Sequence, residues 1–155
     1  MRLPLHTDFA LRLLIYLEVH PDRLVTTREV AGAYKISRHH LTKVVQGLTA
    51  LSLVEAVRGR SGGMRLAKPA GEVNIGALVR HFSSSSILIE CFDEETNTCP
   101  ISPACRLKRI LHDAEEGFLQ VLDGYFLSDI ARNRQHLASL WPAPDPAPPL
   151  NHDSV

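Results

Sequence analysis

The residues of this 155-residue chain best suited to chemistry lie in one stretch, Cys91-Phe-Asp-Glu-Glu-Thr-Asn-Thr-Cys99-Pro-Ile-Ser-Pro-Ala-Cys105, which holds all three of its cysteines. An odd number of thiols so close together is a poor disulfide framework and a good set of soft ligands for iron or zinc. The gaps of seven and five residues exceed the roughly two-to-four-residue spacing of a zinc knuckle, and there is no CxxC pair. An iron-sulfur centre therefore ranks first, zinc second, and a redox switch or unligated cysteines third. Metal binding requires the thiolate, which the amide donors and positive end of a helix opening at Cys105 would favour. Pro100 and Pro103 stiffen the approach to that helix. A fourth ligand must come from elsewhere. Glu90, Asp93, Glu94 and Glu95 are numerous enough to offer one, although loop acids mostly face water. His112 reads as a solvated surface histidine.

The second chemically suggestive feature is charge. Residues 1 to 86 carry twelve Lys and Arg against six Asp and Glu, and residues 87 to 155 carry five against eleven, so a neutral total conceals halves of +6 and −6. Most of the positive excess falls between 23 and 68, with nine bases and two acids. A concentrated basic segment in a neutral protein points to a polyanion-binding face.

Periodicity indicates the elements that must position these residues. Thr7-Asp8 can cap a helix from Phe9 to about His20, stopped by Pro21. Thr26 and Glu29 have capping-box spacing and start a short helix through about Ala33, after which Tyr34-Lys35-Ile36 turns the chain. Ser37 caps the next helix, where Leu41, Val44, Val45, Leu48 and Leu51 form an apolar stripe opposite Arg38, His39, Thr42, Lys43 and Gln46. Two short helices about a tight turn, the second with a polar and basic outer face, read as a helix-turn-helix.

Strands over Leu53 to Val57 and Met64 to Ala67, joined by Arg58-Gly59-Arg60-Ser61-Gly62-Gly63, add a wing. Arginine on such a thin loop suits a narrow minor groove. The expected DNA-contacting residues are Arg28, Ser37, Arg38, His39, Thr42 and Lys43 on the helices and Arg58, Arg60 and Arg65 on the wing. His40, about 100° from His39 around the helix, is left to solvent or packing.

Gly59-Arg60-Ser61-Gly62-Gly63 also satisfies the G-x-S-x-G pattern of a hydrolase. That nucleophile elbow needs a strand-turn-helix on a large sheet, whereas a hairpin tip is expected here, so no catalytic residue is assigned.

Asn74 caps a further helix with Ile75, Leu78, Val79 and Phe82 on one face, and regular patterning stops from Ser83 to Ala104. A loop of that length implies something that holds it, as a metal would. Beyond Pro103, Leu107, Ile110, Leu111, Ala114, Phe118, Val121, Leu122 and Tyr125 sustain a seam suited to a dimer contact, with Gly124 ending the helix and Ser128-Asp129 starting one more turn.

The expected fold is mainly α with a small β-hairpin. The winged helix-turn-helix takes residues 1–82, a metal-binding loop 83–105, and a dimerisation helix with a terminal turn 106–133. A disordered tail takes 134–155, its end rich in proline. A hydrophobic content of 45 % is enough for an ordinary core. The first apolar run, Phe9 to Leu17, is interrupted by Arg12 and too short to span a bilayer, and no signal-peptide cleavage pattern flanks it, so a cytoplasmic protein with no membrane partner is expected.

Four stretches in this order carry a resemblance: His6-Thr7-Asp8-Phe9-Ala10-Leu11-Arg12, Ile36-Ser37-Arg38-His39-His40-Leu41, Val57 to Leu66, and Cys99-Pro100-Ile101-Ser102-Pro103-Ala104-Cys105-Arg106-Leu107. Over about residues 1 to 133 the chain resembles the winged-helix regulators of the NsrR and IscR types, and most of all the NsrR type of nitric-oxide-sensing repressor. The resemblance implies that Cys91, Cys99 and Cys105 bind an iron-sulfur cluster and that Asp8 reaches the cluster of the partner subunit; the alternative for Asp8 is helix capping alone. IscR-like members ligate a 2Fe-2S cluster through a histidine at the place of Lys108, so the lysine argues for a 4Fe-4S centre. The gap between Cys91 and Cys99 is wider than the usual NsrR pattern.

The resemblance further implies a non-enzymatic homodimeric repressor that binds double-stranded DNA and releases it when nitric oxide attacks the cluster. The alternatives are a regulator sensing iron-sulfur or redox status in the IscR manner, a non-DNA-binding electron-transfer protein, and a zinc-stabilised interaction module.

Overall fold

A proline seeds the first helix. In the computed structural model, which describes residues 3–59, 61–83, 89–93 and 95–142, helix α1 (Leu5–Val19) begins behind Pro4, whose φ of −54° suits a helix entrance and whose carbonyl accepts the Asp8 N–H at 3.1 Å. Thr7 and Asp8 are therefore inside the first turn and do not cap it. Thr7 is fully buried and shares a hydrogen bond of 3.2 Å with Ser83. Ala10, Leu13, Leu14 and Leu17 enter the core from α1.

Helices α2 (Thr27–Tyr34) and α3 (Arg38–Ala50) form the helix-turn-helix, with Lys35 in the left-handed region at φ 54° making the turn between them. Half of the capping box forms: Thr26 Oγ1 accepts the Glu29 N–H at 3.2 Å. The Glu29 side chain turns instead to Arg23 Nη1 at 3.0 Å and the Tyr16 hydroxyl at 2.9 Å, two charge-assisted bonds that outcompete a single backbone donor. At α3 the Ser37 hydroxyl makes no capping bond. Leu41, Val44 and Leu48 are buried, and Val45 and Leu51 half-buried, along the stripe expected.

The wing is an antiparallel pair, β1 (Val54–Val57) with β2 (Gly63–Leu66), in which Val54 faces Leu66 and Val57 faces Gly63. A Cβ at Gly62 would run into the Val57 carbonyl, so the return of the hairpin requires glycine there. Val25 and Met64 exchange backbone hydrogen bonds of 3.0 and 2.8 Å, which ties the base of the wing to the segment preceding α2.

Asn74 caps α4 (Ile75–Ser83) by accepting the Ala77 N–H at 2.8 Å. Two short 3-10 turns, Glu90–Phe92 and Ser102–Ala104, lie in the cysteine-bearing segment. Helices α5 (Arg106–Asp123), α6 (Leu127–Ile130) and α7 (Arg134–Leu140) follow. The Asp129 carboxylate accepts the Phe126 N–H at 3.0 Å and stabilises the entrance to α6, the turn expected around Ser128-Asp129.

One expectation is corrected by the C-terminal third. Residues 134–140 are helical, because Arg134 pairs with the buried Glu18 of α1, and Trp141 packs its ring 4.6 Å from Tyr16 and 5.6 Å from Tyr34. Only the remainder of the expected tail, 143–155, lies outside the described residues. The core of the winged helix also takes in α6. Leu127 is fully buried in its core, the Leu127 N–H bonds to Val73 O at 2.9 Å, and the Ile75 N–H bonds to Tyr125 O at 3.0 Å. Among the described residues, no helix is long and apolar enough to cross a membrane.

Candidate functional site

The outer face of α3 is built by exclusion. With Leu41, Val44 and Leu48 turned into the core, helical geometry leaves Arg38, His39, Thr42, Lys43 and Gln46 exposed on the other side. The Thr42 hydroxyl donates to the Arg38 carbonyl at 2.9 Å, and His40, also exposed, has its ring 6.0 Å from that of Phe9. Ser37 stands exposed at the head of α3 and Arg28 exposed in the first turn of α2. On the wing, Arg58 is exposed beside the hairpin tip, whereas Arg65 stands opposite Glu55 in the strand pair and its Nε bonds to Glu55 Oε2 at 2.9 Å. Arg60 lies outside the described residues. Ser61 is at the exposed tip of a two-stranded hairpin, far from the sheet context a hydrolase elbow demands.

The three cysteines are free thiols of intermediate exposure. Cys91 lies in the Glu90–Phe92 turn, Cys99 just before the Ser102–Ala104 turn, and Cys105 at the N-cap of α5. No side chain caps α5, so its first free amide donors and positive end face the Cys105 region, as suits an anionic sulfur. An open pocket of about 530 Å³ runs along this end, with Cys105, Lys108, Arg109 and His112 on the helical wall and Phe92 across from them. The spacing of three, four and seven from Cys105 puts those residues on one helical face. The Phe92 ring meets His112 edge-on at 6.0 Å and so brings the residue next to Cys91 against α5.

Two of the acids considered as ligands, Glu90 and Asp93, already accept backbone and hydroxyl donors. Glu90 Oε1 accepts the Thr98 N–H at 2.7 Å and the Thr98 hydroxyl at 2.6 Å. Asp93 accepts the Glu95 N–H at 3.0 Å and the Thr96 hydroxyl at 2.6 Å. Hydrogen bonds from Thr98 and from Thr96 hold the Glu90 and Asp93 carboxyls, respectively, below the ordinary carboxylate range. Asn97 continues the pattern by accepting the Cys99 N–H at 3.1 Å. Glu95 is exposed, and Glu94 lies outside the described residues.

The donor chemistry fits iron: free thiols, a positive helix end and basic neighbours. Among the described residues of one chain, however, no three His, Cys, Asp or Glu side chains gather closely enough to hold a metal. Asp8 is in the first turn of α1, where its carboxylate pairs with Arg12.

Helix α5 presents two faces. Phe118, Leu119 and Leu122 pack on the winged-helix core, while Leu107, Ile110 and Val121 are 59 %, 56 % and 63 % exposed. With Ala114 and Gly117 these form an exposed stripe at alternating spacings of three and four, so the seam read from the sequence divides between the protein's own core and an open side. The base of α5 is fixed to α4: Asn74 Nδ2 donates to the Asp123 carbonyl at 2.7 Å, and Arg80 Nη2 donates to the Asp123 carboxylate at 2.9 Å. Gly76 makes this approach possible, since a Cβ there would overlap Asp123. No local pattern in the chain signals these ties or the Glu90–Thr98 pair.

Comparison with known proteins gives one consistent result. Residues 4–133 match the model of the Rrf2 family, described as iron-dependent transcriptional regulators. The HTH-type transcriptional regulator NsrR of Halalkalibacterium halodurans is 48 % identical over 90 % of this chain and 97 % of its own length. The NsrR of Shouchella clausii is 47 % identical over 90 % of this chain and 95 % of its own. Among solved structures, T. potens IscR superposes with a TM-score of 0.68 at 19 % identity, over 86 % of this chain and 88 % of that one, a likeness of fold.

Proposed function

We infer, for a chain that belongs to the Rrf2 family of transcriptional regulators, that it is a homodimeric repressor releasing its operator in response to nitric oxide through an iron-sulfur cluster. That it is a DNA-binding winged-helix regulator and not an enzyme follows from its kinship. The single observation that carries the finer reading is the conjunction, in one chain 48 % identical to an NsrR, of three free thiols in the segment that leads into a long helix with an exposed polar and basic face on α3.

Residues 1–82, supported by α6 and α7, would read DNA; 83–105 would hold the cluster; and α5 within 106–133 would pair the subunits. Arg38, His39, Thr42 and Lys43 would face bases and phosphates in the major groove, with Ser37 and Arg28 near the backbone. Arg58, Arg60 and Arg65 would approach the minor groove, Arg65 after giving up its pairing with Glu55. Two such heads in a dimer suit half-sites about one helical turn apart.

Cys91, Cys99 and Cys105 would hold the cluster, and Asp8 from the partner subunit would supply the remaining protein ligand, which fits a 4Fe-4S centre better than a 2Fe-2S centre. When bound, the cluster supplies iron that nitric oxide can attack. Asp8 would tie the first helix of one subunit to the cysteine loop of the other and so set the spacing of the two α3 helices. Loss of that tie lets the heads move out of register, and their phosphate contacts weaken together.

The test is oxygen-free purification with iron and sulfide analysis, followed by operator binding at several salt concentrations with and without nitric oxide. The expected result is a coloured protein whose steeply salt-dependent affinity collapses on exposure. Colourless, metal-free protein that binds the operator regardless of nitric oxide would overturn the proposal.

A further inference from the structure

Cys91 and Cys99 are separated by seven residues, a long interval for two ligands of one centre. The residue immediately before each is part of one contact. Glu90 Oε1 receives both the backbone N–H and the hydroxyl of Thr98, at 2.7 and 2.6 Å. Inside the loop thus closed, Asp93 holds Glu95 and Thr96, the Asn97 N–H bonds to Asp93 O at 3.0 Å, and Asn97 Oδ1 holds the Cys99 N–H. Every one of these bonds is internal to the segment from Glu90 to Cys99. Among its described residues the segment has no fully buried side chain, and Phe92, which meets His112 edge-on, is only partly buried.

We propose that Glu90 is a positioning residue for the metal centre: by clasping Thr98 it brings Cys91 and Cys99 into proximity before metal arrives, so that the long interval does not have to be closed at the expense of binding affinity. This rests on the reading of Cys91, Cys99 and Cys105 as cluster ligands. The physical basis is loop closure. An open loop must lose conformational entropy when both thiolates engage one centre, and a charged acceptor taking two donors has already removed part of that freedom.

The experiment compares anaerobically reconstituted wild type with Glu90→Ala, Thr98→Val, Thr98→Ser and the double variant Glu90→Ala/Thr98→Val. The readout is the rate at which an iron chelator bleaches the cluster's visible absorption, with bound iron and sulfide measured at the start. Loss should be about tenfold faster in Glu90→Ala. Thr98→Ser should behave as wild type, because it keeps both donors, and Thr98→Val should fall between. The double variant should be no faster than Glu90→Ala alone, the sign that both changes remove one interaction. A wild-type rate in Glu90→Ala, or additive effects in the double variant, overturns the assignment while leaving the cluster reading intact. Wild type that takes up no iron and sulfide overturns both.

Discussion

Both carboxylate oxygens of Asp8 are held by Arg12 one turn further along α1, with Nε to Oδ1 at 3.0 Å and Nη2 to Oδ2 at 2.9 Å. The Arg12 and Asp8 side chains are 43 % and 37 % exposed, and an i,i+4 pair of this kind is worth only about 0.3–0.5 kcal/mol. Arg12 therefore presents Asp8 without sequestering it. A stronger partner for the carboxylate, such as iron, can take it at little cost to α1.

Asp8→Ala should lower folding stability by no more than about 0.5 kcal/mol while changing the cluster's absorption spectrum and its coupling to DNA. Denaturant unfolding and anaerobic spectroscopy on the same preparation separate the two effects. An unaltered spectrum, nitric-oxide response and operator affinity would remove Asp8 from the ligand set.

Lys43→Ala on the exposed side of α3 should weaken binding to operator and random duplex alike and reduce the slope of log affinity against log salt by about 0.9, one phosphate contact. His39→Ala should instead change which operator substitutions are tolerated. Unchanged slope and preference would place the DNA-reading surface elsewhere.

Ile110→Asp with Val121→Asp places charge on the exposed stripe of α5 without touching the side that packs on the core. Sedimentation should then report a monomer, and operator affinity should drop because two half-sites are no longer read together. A dimer that survives both changes would show that subunits meet through another surface.

Glu29 gives a pH signature. Burial pushes its carboxyl up, but hydrogen bonds from Arg23 and Tyr16 outweigh that and hold it below its ordinary value near 4.5. The stability it contributes is complete above that ordinary value and is lost as pH falls through the lower folded one. Glu29→Gln should cost about 1–2 kcal/mol near neutrality, and the gap from wild type should close in acid. Urea midpoints across this range check it, and a gap independent of pH would count against the mechanism. The partner Tyr16, desolvated and bonded to Glu29, has its hydroxyl pushed up to about 12 and stays protonated throughout.

Trp141, the chain's only tryptophan, reports on α7. Trp141→Ala should cost about 1–3 kcal/mol, less than the loss of a fully buried tryptophan because the residue is only partly buried. In wild type its fluorescence should shift in the same transition as the far-ultraviolet signal. Separate transitions, or an unchanged urea midpoint in the variant, would mean that α7 docks only loosely.

Local pattern made the reading head legible. Leu41, Val44 and Leu48 recur at helical spacing, so their burial and the exposure of Arg38, His39 and Lys43 follow from geometry within a single element. The hairpin was equally legible, since Gly59, Gly62 and Gly63 mark a turn between apolar runs. Asn74 caps α4 because its side chain reaches only three residues along the chain. The three thiols offered soft-metal chemistry by residue type alone.

Contacts between distant segments were decided by tertiary structure. Nothing near Arg134 or Trp141 in the chain reveals that Glu18 and Tyr16, more than a hundred positions away, complete their environment, so a composition-based reading put the tail too early. The division of α5 into a packed side and an open stripe depends on where α4 lies, which periodicity along α5 does not contain. The fates of Glu90 and Arg65 were likewise invisible, because a carboxylate's partner is set by which donors the folded backbone brings within about 3 Å. Sequence by itself therefore determined most of the elements, α7 excepted, and the kinds of chemistry on offer, through interactions a few residues in range. The fold decided which of those groups are engaged with one another and which are left exposed, through interactions whose partners meet only after the chain has closed on itself.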